Sequence, residues 1–248
     1  MSNVTAIAGT ELRLMTREWA AMVFAFAFPI LLMLILPSVF GNEASPEYGG
    51  VTPAAYYVAD YVVVPLGALA LIGLPVMISS YRERSILRRF EAAGVSASSV
   101  ISAQAMVTCA LVLLGATAVL LAAAPTYGIP AVQDVLGVLA GFVLGTSTMI
   151  SIGVMIGLLA RTARSAQALG LLAFFPMWLL GAGGPPRPAM PEVMARISDL
   201  LPLGHAGAAI REPWLNTGST GLNLLALGLW LVLASTVVMA LLRRQHDR

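Results

Sequence analysis

Long stretches without a charged residue constrain this chain more than any other feature. Six of them separate consecutive charges, and each is long enough to cross ~30 Å of hydrocarbon, which takes about 20 uncharged residues. The third, between Glu91 and Asp134, holds 42 residues. Because turn and cap residues open it and Pro125 to Pro130 close it, we assign it a single span at 100–124.

The composition agrees with a chain that lies in lipid. Charged residues make up 10% of the sequence, against about 25% in soluble globular proteins. We therefore predict an all-α integral membrane protein, with six transmembrane helices in one domain that covers residues 1–248. The predicted spans are 20–40, 61–81, 100–124, 135–160, 165–184 and 219–242.

The arginines are distributed unequally between the two sides of the membrane. All fourteen basic residues are arginine, and eleven of them lie in the termini and in the two loops on the same side as the termini. These eleven are Arg13, Arg17, Arg82, Arg84, Arg88, Arg89, Arg161, Arg164, Arg243, Arg244 and Arg248. Because positively charged segments stay in the cytoplasm, we predict a multi-pass protein with both termini cytoplasmic.

The arginine-rich segment after the second span is predicted to form a short amphipathic helix at 82–93, ended by Gly94. Ile86, Leu87 and Phe90 make its apolar side, and charged residues make the other. An ordered charged surface suits docking on another protein, and the alternative is a solvated loop that touches only lipid phosphates. The candidate docking residues are Arg82, Glu83, Arg84, Ile86, Leu87, Arg88, Arg89, Phe90 and Glu91.

Two further segments are predicted to lie at the membrane surface. Apolar residues at intervals of three and four within 3–19 indicate an interfacial elbow helix, or alternatively a helical tail that only anchors the chain. The segment 185–213 is broken by prolines, and its apolar stretch at 203–210 is too short to cross, so we expect an external, re-entrant element. His205 within it is expected to be a polar anchor and not a metal ligand.

Glycines mark one face of the fourth span, at multiples of four residues interrupted by Met149. Such a ridge lets another helix approach closely, because helices in lipid associate through van der Waals contact. Packing within one subunit is the favoured interpretation, and a subunit interface is the alternative. The glycines are Gly137, Gly141, Gly145, Gly153 and Gly157.

Residue types that are missing exclude several functions. Without lysine the chain has no P-loop or Schiff-base lysine. No span centre is charged, which argues against an ion-coupled carrier, and Asp60 is expected to be interfacial at the external end of the second span. The two histidines fall on opposite sides of the membrane, with no metal-binding spacing or catalytic serine turn. We therefore predict that the chain is not an enzyme and holds no metal.

Two separated sets of residues carry a family resemblance. Arg82 to Phe90 is similar to the Glu-Arg-Gly-Thr-Leu-Arg-Arg-Leu run that follows the second span in permease subunits of bacterial ATP-binding-cassette type-2 exporters. Ser85, Ile86 and Gly94 depart from that pattern. The family's landmarks between the fifth and sixth spans are matched by Gly183-Gly184, Met190-Pro191, Leu201-Pro202 and Arg211.

The resemblance implies a coupling helix around Glu83 to Phe90, a second permease subunit, identical or related, and a place in the bacterial plasma membrane. ATP and Mg²⁺ would be held by separate ATPase subunits, with no cofactor on this chain and no nucleic-acid partner. Uncharged spans suit a hydrophobic or amphiphilic cargo, such as a drug-like molecule or lipid. The resemblance implies a role such as multidrug resistance, because the family includes drug-resistance permeases as well as polysaccharide and lipid exporters. The alternatives are a stand-alone secondary transporter and a membrane regulatory or immunity protein.

Overall fold

The structure is a computed structural model that describes residues 13–41 and 43–246. Within these residues every regular element is a helix, and six helices are long and apolar enough to cross a membrane. The predicted all-α integral membrane architecture with six transmembrane helices is therefore confirmed. Numbered one to six, the spans are Trp19–Phe40, Pro46–Glu83, Ala97–Tyr127, Val135–Leu159, Ala163–Leu180 and Gly221–Arg243, and the last helix continues to His246.

Span two is the central element of the bundle. Its most apolar window is fully buried by the other helices, whereas the matching windows of the other spans are 11% to 50% buried. Pro65 and Pro75 lie at the starts of helical pieces, where a missing backbone N–H costs least. The pieces are Pro53–Tyr61, Val64–Ala68, a π-helical turn at Leu69–Gly73, and Leu74–Glu83. Helix thus begins at Pro53, before the predicted residue 61, and a 3-10 turn at Pro46–Tyr48 precedes it.

The segment after span two differs from the predicted single helix over 82–93. Span two continues to Glu83, and a separate short helix covers Ile86–Ala92, called the 86–92 helix below. Ser85 between them has a φ of 54°, a left-handed conformation that few residues other than glycine adopt. Gly94 follows the short helix with a φ of 81°, in agreement with its predicted role as a helix stop.

Between spans five and six the chain forms three short elements, Arg187–Ala189, Glu192–Ser198 and Pro202–Leu215. The last, called the 202–215 helix, has 14 residues and so a length of about 21 Å, too short to cross the bilayer. Its Ala206 and Ala209 are fully buried within the bundle. Span five ends at Leu180 and not at the predicted 184, because residues 181–184 turn away from the helix.

The glycines of span four face other helices of the same chain. A Cβ atom added to Gly141 would collide with the backbone of Ala209, and one added to Gly145 would lie 3.0 Å from the Ala206 Cβ. Gly137, at the start of the span, faces Pro213 of the 202–215 helix. Toward the other end of the span, Gly153 meets the carbonyl of Ala70, and Gly157 approaches Ile78 and Pro75. The ridge therefore holds the 202–215 helix and span two close to span four.

The described chain begins with helical residues 13–15 and a turn at 16–17 before span one. Residues 3–12 of the predicted elbow helix lie outside the described part of the chain. Met15 is buried, and its sulfur lies 3.6 Å from the hydroxyl of Thr108 in span three. Its methyl group also faces Gly73 of span two. This segment is thus packed against spans two and three.

Candidate functional site

The bundle has one arginine-rich end, which carries the 86–92 helix, the loop between spans four and five, and the end of span six. The 86–92 helix is attached there by its apolar side. Leu87 is buried, and Ile86 and Phe90 pack beside it against Met77, Tyr81 and Val100. The rings of Tyr81 and Phe90 are stacked with their centroids 6.4 Å apart. The helix is therefore held against spans two and three.

The outer surface of the same segment is basic. Arg84, Arg88 and Arg89 are exposed, and none of them forms an ion pair among the side chains that the structure describes, which do not include that of Glu91. Side chains that point into solvent without an ion pair are free to contact another molecule. The structure thus brings together the apolar and basic sides that the sequence predicted, on a shorter helix.

Arg82 differs from these three arginines. Its Nη1 atom donates hydrogen bonds to the carbonyl oxygens of Gly157 and Ala160, each at 3.1 Å, and also to that of Leu158. These carbonyls close the last turn of span four, where a cation compensates the helix dipole. The hydroxyl of Ser79 donates to the same Gly157 oxygen at 2.9 Å. The guanidinium of Arg82 is therefore engaged inside the chain through Nη1, whereas its predicted contact with a partner stays a prediction.

Glu83 is engaged in the same way with span five. Its Oε2 atom accepts a hydrogen bond from the backbone N–H of Ala163 at 2.9 Å, where span five begins. Thr162 and Ser165 form a capping box around the same helix start. Glu83 adds an acceptor for one more of the N–H groups that a helix start leaves free. Its assignment to a docking surface stays a prediction, and the side chain, although exposed, already has one partner within the chain.

At the opposite end of the bundle, an ion pair joins span two to the 202–215 helix. Arg211 donates from Nη1 to Oδ1 of Asp60, and its guanidinium carbon lies 4.3 Å from the ring centroid of Tyr56. The side chain of Asp60 is 1% exposed and that of Arg211 is 14% exposed. Asp60 is therefore not the interfacial carboxylate that the sequence predicted, because the 202–215 helix covers it.

A polar cavity of about 270 Å³ lies beside this ion pair. His205, on its wall, has both ring nitrogens in hydrogen bonds of 2.9 Å, with the Asn223 side chain and the Asp199 carbonyl. The hydrogen bond and charge of Arg187 hold the pKa of the Asp199 carboxyl below its usual range, whereas burial raises the pKa of Glu212. No group of three or more potential metal ligands occurs among the described residues.

Comparison with protein families agrees with this architecture. The model of the ABC-2 type transporter family matches residues 2–213, most of the chain. The chain belongs to the ABC-2 type transporter family. An ABC-2 protein is the membrane component of a transporter, and family membership implies association with ABC ATPase subunits in a lipid bilayer. No curated protein matches the chain significantly.

Sequence reasoning about this ABC-2 protein missed two sets of contacts. Arg82 and Glu83 were grouped with the arginines that follow them, although they lie within the last turn of span two. Their position at the end of span two could have indicated these contacts, because charges at the end of a buried helix lie near the ends of neighbouring helices. Asp60 and Arg211 had no such signal, since 151 residues separate them.

Proposed function

We propose that this ABC-2 protein is the permease subunit of an ATP-driven exporter, and that the 86–92 helix is its docking site for a separate ATPase. The observation that carries the proposal is that one side of this segment is packed on the bundle and the other side is exposed and basic. Its apolar side is packed on spans two and three, and Arg84, Arg88 and Arg89 face outward without an ion pair among the described residues. A surface of this kind favours an acidic groove on a partner protein.

In the proposed cycle, ATP and Mg²⁺ bind to paired ATPase subunits, which close and carry the 86–92 helices of two permease subunits with them. The spans then tilt, and a site between the subunits opens outward. Such coupling requires two conformations that nucleotide and cargo stabilise differently. The arginine-rich end and both termini face the cytoplasm of a bacterial cell in this proposal, consistent with the positive-inside rule.

The proposed cargo is hydrophobic or amphiphilic. Span one and span five present a strip of aromatic rings that includes Phe24, Phe28, Phe175 and Trp178. The Phe28 and Trp178 centroids are 4.8 Å apart, and Phe175 is 40% exposed at the side of the bundle. Apolar and cationic amphiphilic molecules bind well to aromatic surfaces of this kind. A drug-like molecule or lipid entering from the bilayer fits this strip better than an ion does.

Co-purification in mild detergent with each candidate ABC ATPase of the same organism tests the proposal. We expect the wild-type permease to retain the ATPase, and Arg88→Glu with Arg89→Glu to lower the yield of complex at least about tenfold, as reversal of docking charges does. Arg243→Glu, an exposed charge reversal at the same end of the bundle, is the matched control and should change little. A wild-type chain that never retains the ATPase would instead indicate a stand-alone transporter or a regulator.

A further inference from the structure

The ends of three spans meet beside the proposed docking helix. Arg82 binds the last carbonyls of span four, and Glu83 binds the first N–H of span five. We call this pair of residues with its backbone partners the 82–83 clamp. A buried apolar cluster of Val76, Ala160 and Ala166 packs the same three spans together beside the clamp. Span two is thus joined at one point to two spans that are far from it in sequence.

The clamp is next to the docking surface but separate from it. Only Arg84 and Ser85 lie between Glu83 and the start of the 86–92 helix. Ser85 adopts its left-handed conformation at this point, so the chain changes direction between the clamp and the helix. Of the exposed arginines, Arg88 and Arg89 follow the break, whereas the two clamp residues precede it. A force applied to the 86–92 helix therefore reaches the clamp through two residues.

At their other ends, spans two and four both contact the 202–215 helix, which would therefore move with them. Span four contacts the 202–215 helix through Gly141 and Gly145, and span two contacts it through the Asp60–Arg211 pair. Packed helices of this type move as units, because their interfaces resist continuous deformation. Motion of the two spans together would displace the 202–215 helix and the polar cavity beside it.

We propose that Arg82 and Glu83 are positioning residues that transmit motion of the docking helix to spans four and five, and do not themselves contact the ATPase. This inference rests on the proposed function, since it requires a partner that moves the 86–92 helix. It assigns to the two residues a role in coupling, separate from the role of Arg88 and Arg89 in binding. Binding and coupling can therefore be separated by substitution.

The test uses the complex of permease and ATPase in lipid nanodiscs, where both faces are open to reagents, with a single reporter cysteine on the permease. Ser198, which lines the polar cavity, is changed to Cys in a Cys109→Ser background. The rate at which a membrane-impermeant maleimide modifies the reporter is measured without nucleotide and with ATP plus vanadate. We expect ATP to change this rate in the wild type, and Arg82→Gln or Glu83→Leu to reduce the change at least about fivefold with an unaltered yield of complex.

Two substitutions at Glu83 distinguish coupling from docking. Glu83→Gln keeps an oxygen that accepts from the Ala163 N–H but removes the charge, so the clamp predicts a nearly wild-type response. Glu83→Leu removes the acceptor and should lose the response. Loss of complex in Glu83→Gln, as expected for Arg88→Glu, would instead place Glu83 in the docking surface and overturn the inference.

The remaining outcomes are also decisive. If the wild-type chain forms no complex, the proposed function fails, and the coupling role of the clamp fails with it. If the complex forms but ATP leaves the reporter unchanged, or if Arg82→Gln and Glu83→Leu respond as the wild type does, the clamp transmits nothing and only this inference falls. A variant that misfolds is recognised by its failure to elute as monodisperse permease in size-exclusion chromatography before ATPase is added, and Arg82→Lys, which keeps a cation for the same carbonyls, should recover folded protein, complex and response.

Discussion

The Asp60–Arg211 pair shows what a buried charge requires at the scale of single residues. Moving an ion out of water costs several kcal/mol, and only a close partner of opposite charge offsets that cost. Arg211 has such a partner in Asp60 and also lies against the Tyr56 ring. By contrast, the Arg187–Asp199 pair is largely exposed, with side chains 61% and 45% accessible to solvent. Water screens the second pair, so the two should differ in their contribution to stability.

Arg211→Met is expected to destabilise the folded state by roughly 3–5 kcal/mol, because it leaves the Asp60 carboxylate buried without a counter-charge. Combining it with Asp60→Leu should recover most of that loss, since no buried charge then remains. The measurement is the free energy of unfolding in mixed micelles.

Arg187→Met is the control for this prediction, and its cost should stay below about 1 kcal/mol, as for other exposed pairs. Equal losses of unfolding free energy in Arg187→Met and Arg211→Met would show that burial does not make the Asp60–Arg211 pair more important for stability than an exposed pair.

The chemical type of these residues was readable from the sequence, but their partners were not. Asp60 was predicted to mark the end of span two, because charge is costly in hydrocarbon, but the span begins at Pro46 and Asp60 lies within it. Its burial depends on a helix that begins at Pro202, and no local pattern reports such a contact. Arg82 illustrates the same limit, since its charge indicated a surface and its contacts are with the end of span four.

At the scale of elements, close contact between helices depends on a few positions where even a methyl group does not fit. Gly153 of span four is one, because an added Cβ would collide with the Ala70 carbonyl oxygen in span two. Backbone atoms on both sides cannot rotate away, so the helices themselves would have to separate. Gly228 of span six has the opposite surroundings, with nothing within 4 Å of an added Cβ.

Gly153→Ala should therefore destabilise the protein by about 1–3 kcal/mol, the usual cost of overpacking a close interface. Gly228→Ala makes the same chemical change where there is space, and should be neutral or slightly stabilising. Thermal unfolding of the two variants in the same detergent compares them directly. If Gly153→Ala unfolds no earlier than Gly228→Ala, the close approach of spans two and four is not needed for stability.

The number of spans was predicted more accurately than their limits, and the reason is physical. Six spans followed from uncharged stretches, because the cost of burying charge exceeds every local preference. Their limits were less accurate, as at span two, since helices extend beyond the hydrocarbon when other protein covers them. The break at Ser85 had no local signal, because serine is not a residue that favours a left-handed conformation.

For the whole molecule, the arrangement of the spans was not predictable from hydropathy. The most apolar window of span two is fully buried and that of span six is 11% buried, although the mean hydropathies of the two windows are 2.3 and 2.4. Lipid and protein interior are similarly apolar, so composition does not distinguish a central helix from a peripheral one. The proposed orientation, by contrast, follows directly from the arginines and can be measured.

Impermeant maleimide applied to intact cells should modify Ser198→Cys and leave Arg88→Cys unmodified, each in a Cys109→Ser background. The reason is that the positive-inside rule places Arg88 in the cytoplasm and the segment between spans five and six, residues 181–220, outside. Opening the cells should make both positions reactive, which shows that both variants are present. Modification of Arg88→Cys alone in intact cells would invert the proposed topology.

The ion pair between Asp60 and Arg211 also sets an order for biosynthesis. The ribosome adds 151 residues between them, which takes roughly 8–30 s at about 5–20 residues per second. Throughout that interval span two lacks its counter-charge, and for the first part of it span two also lacks spans four and five, which later pack against it. A newly made chain must therefore hold its most central helix in a provisional environment, and a lipid or insertion factor that shelters the span at this stage would govern how much protein is produced.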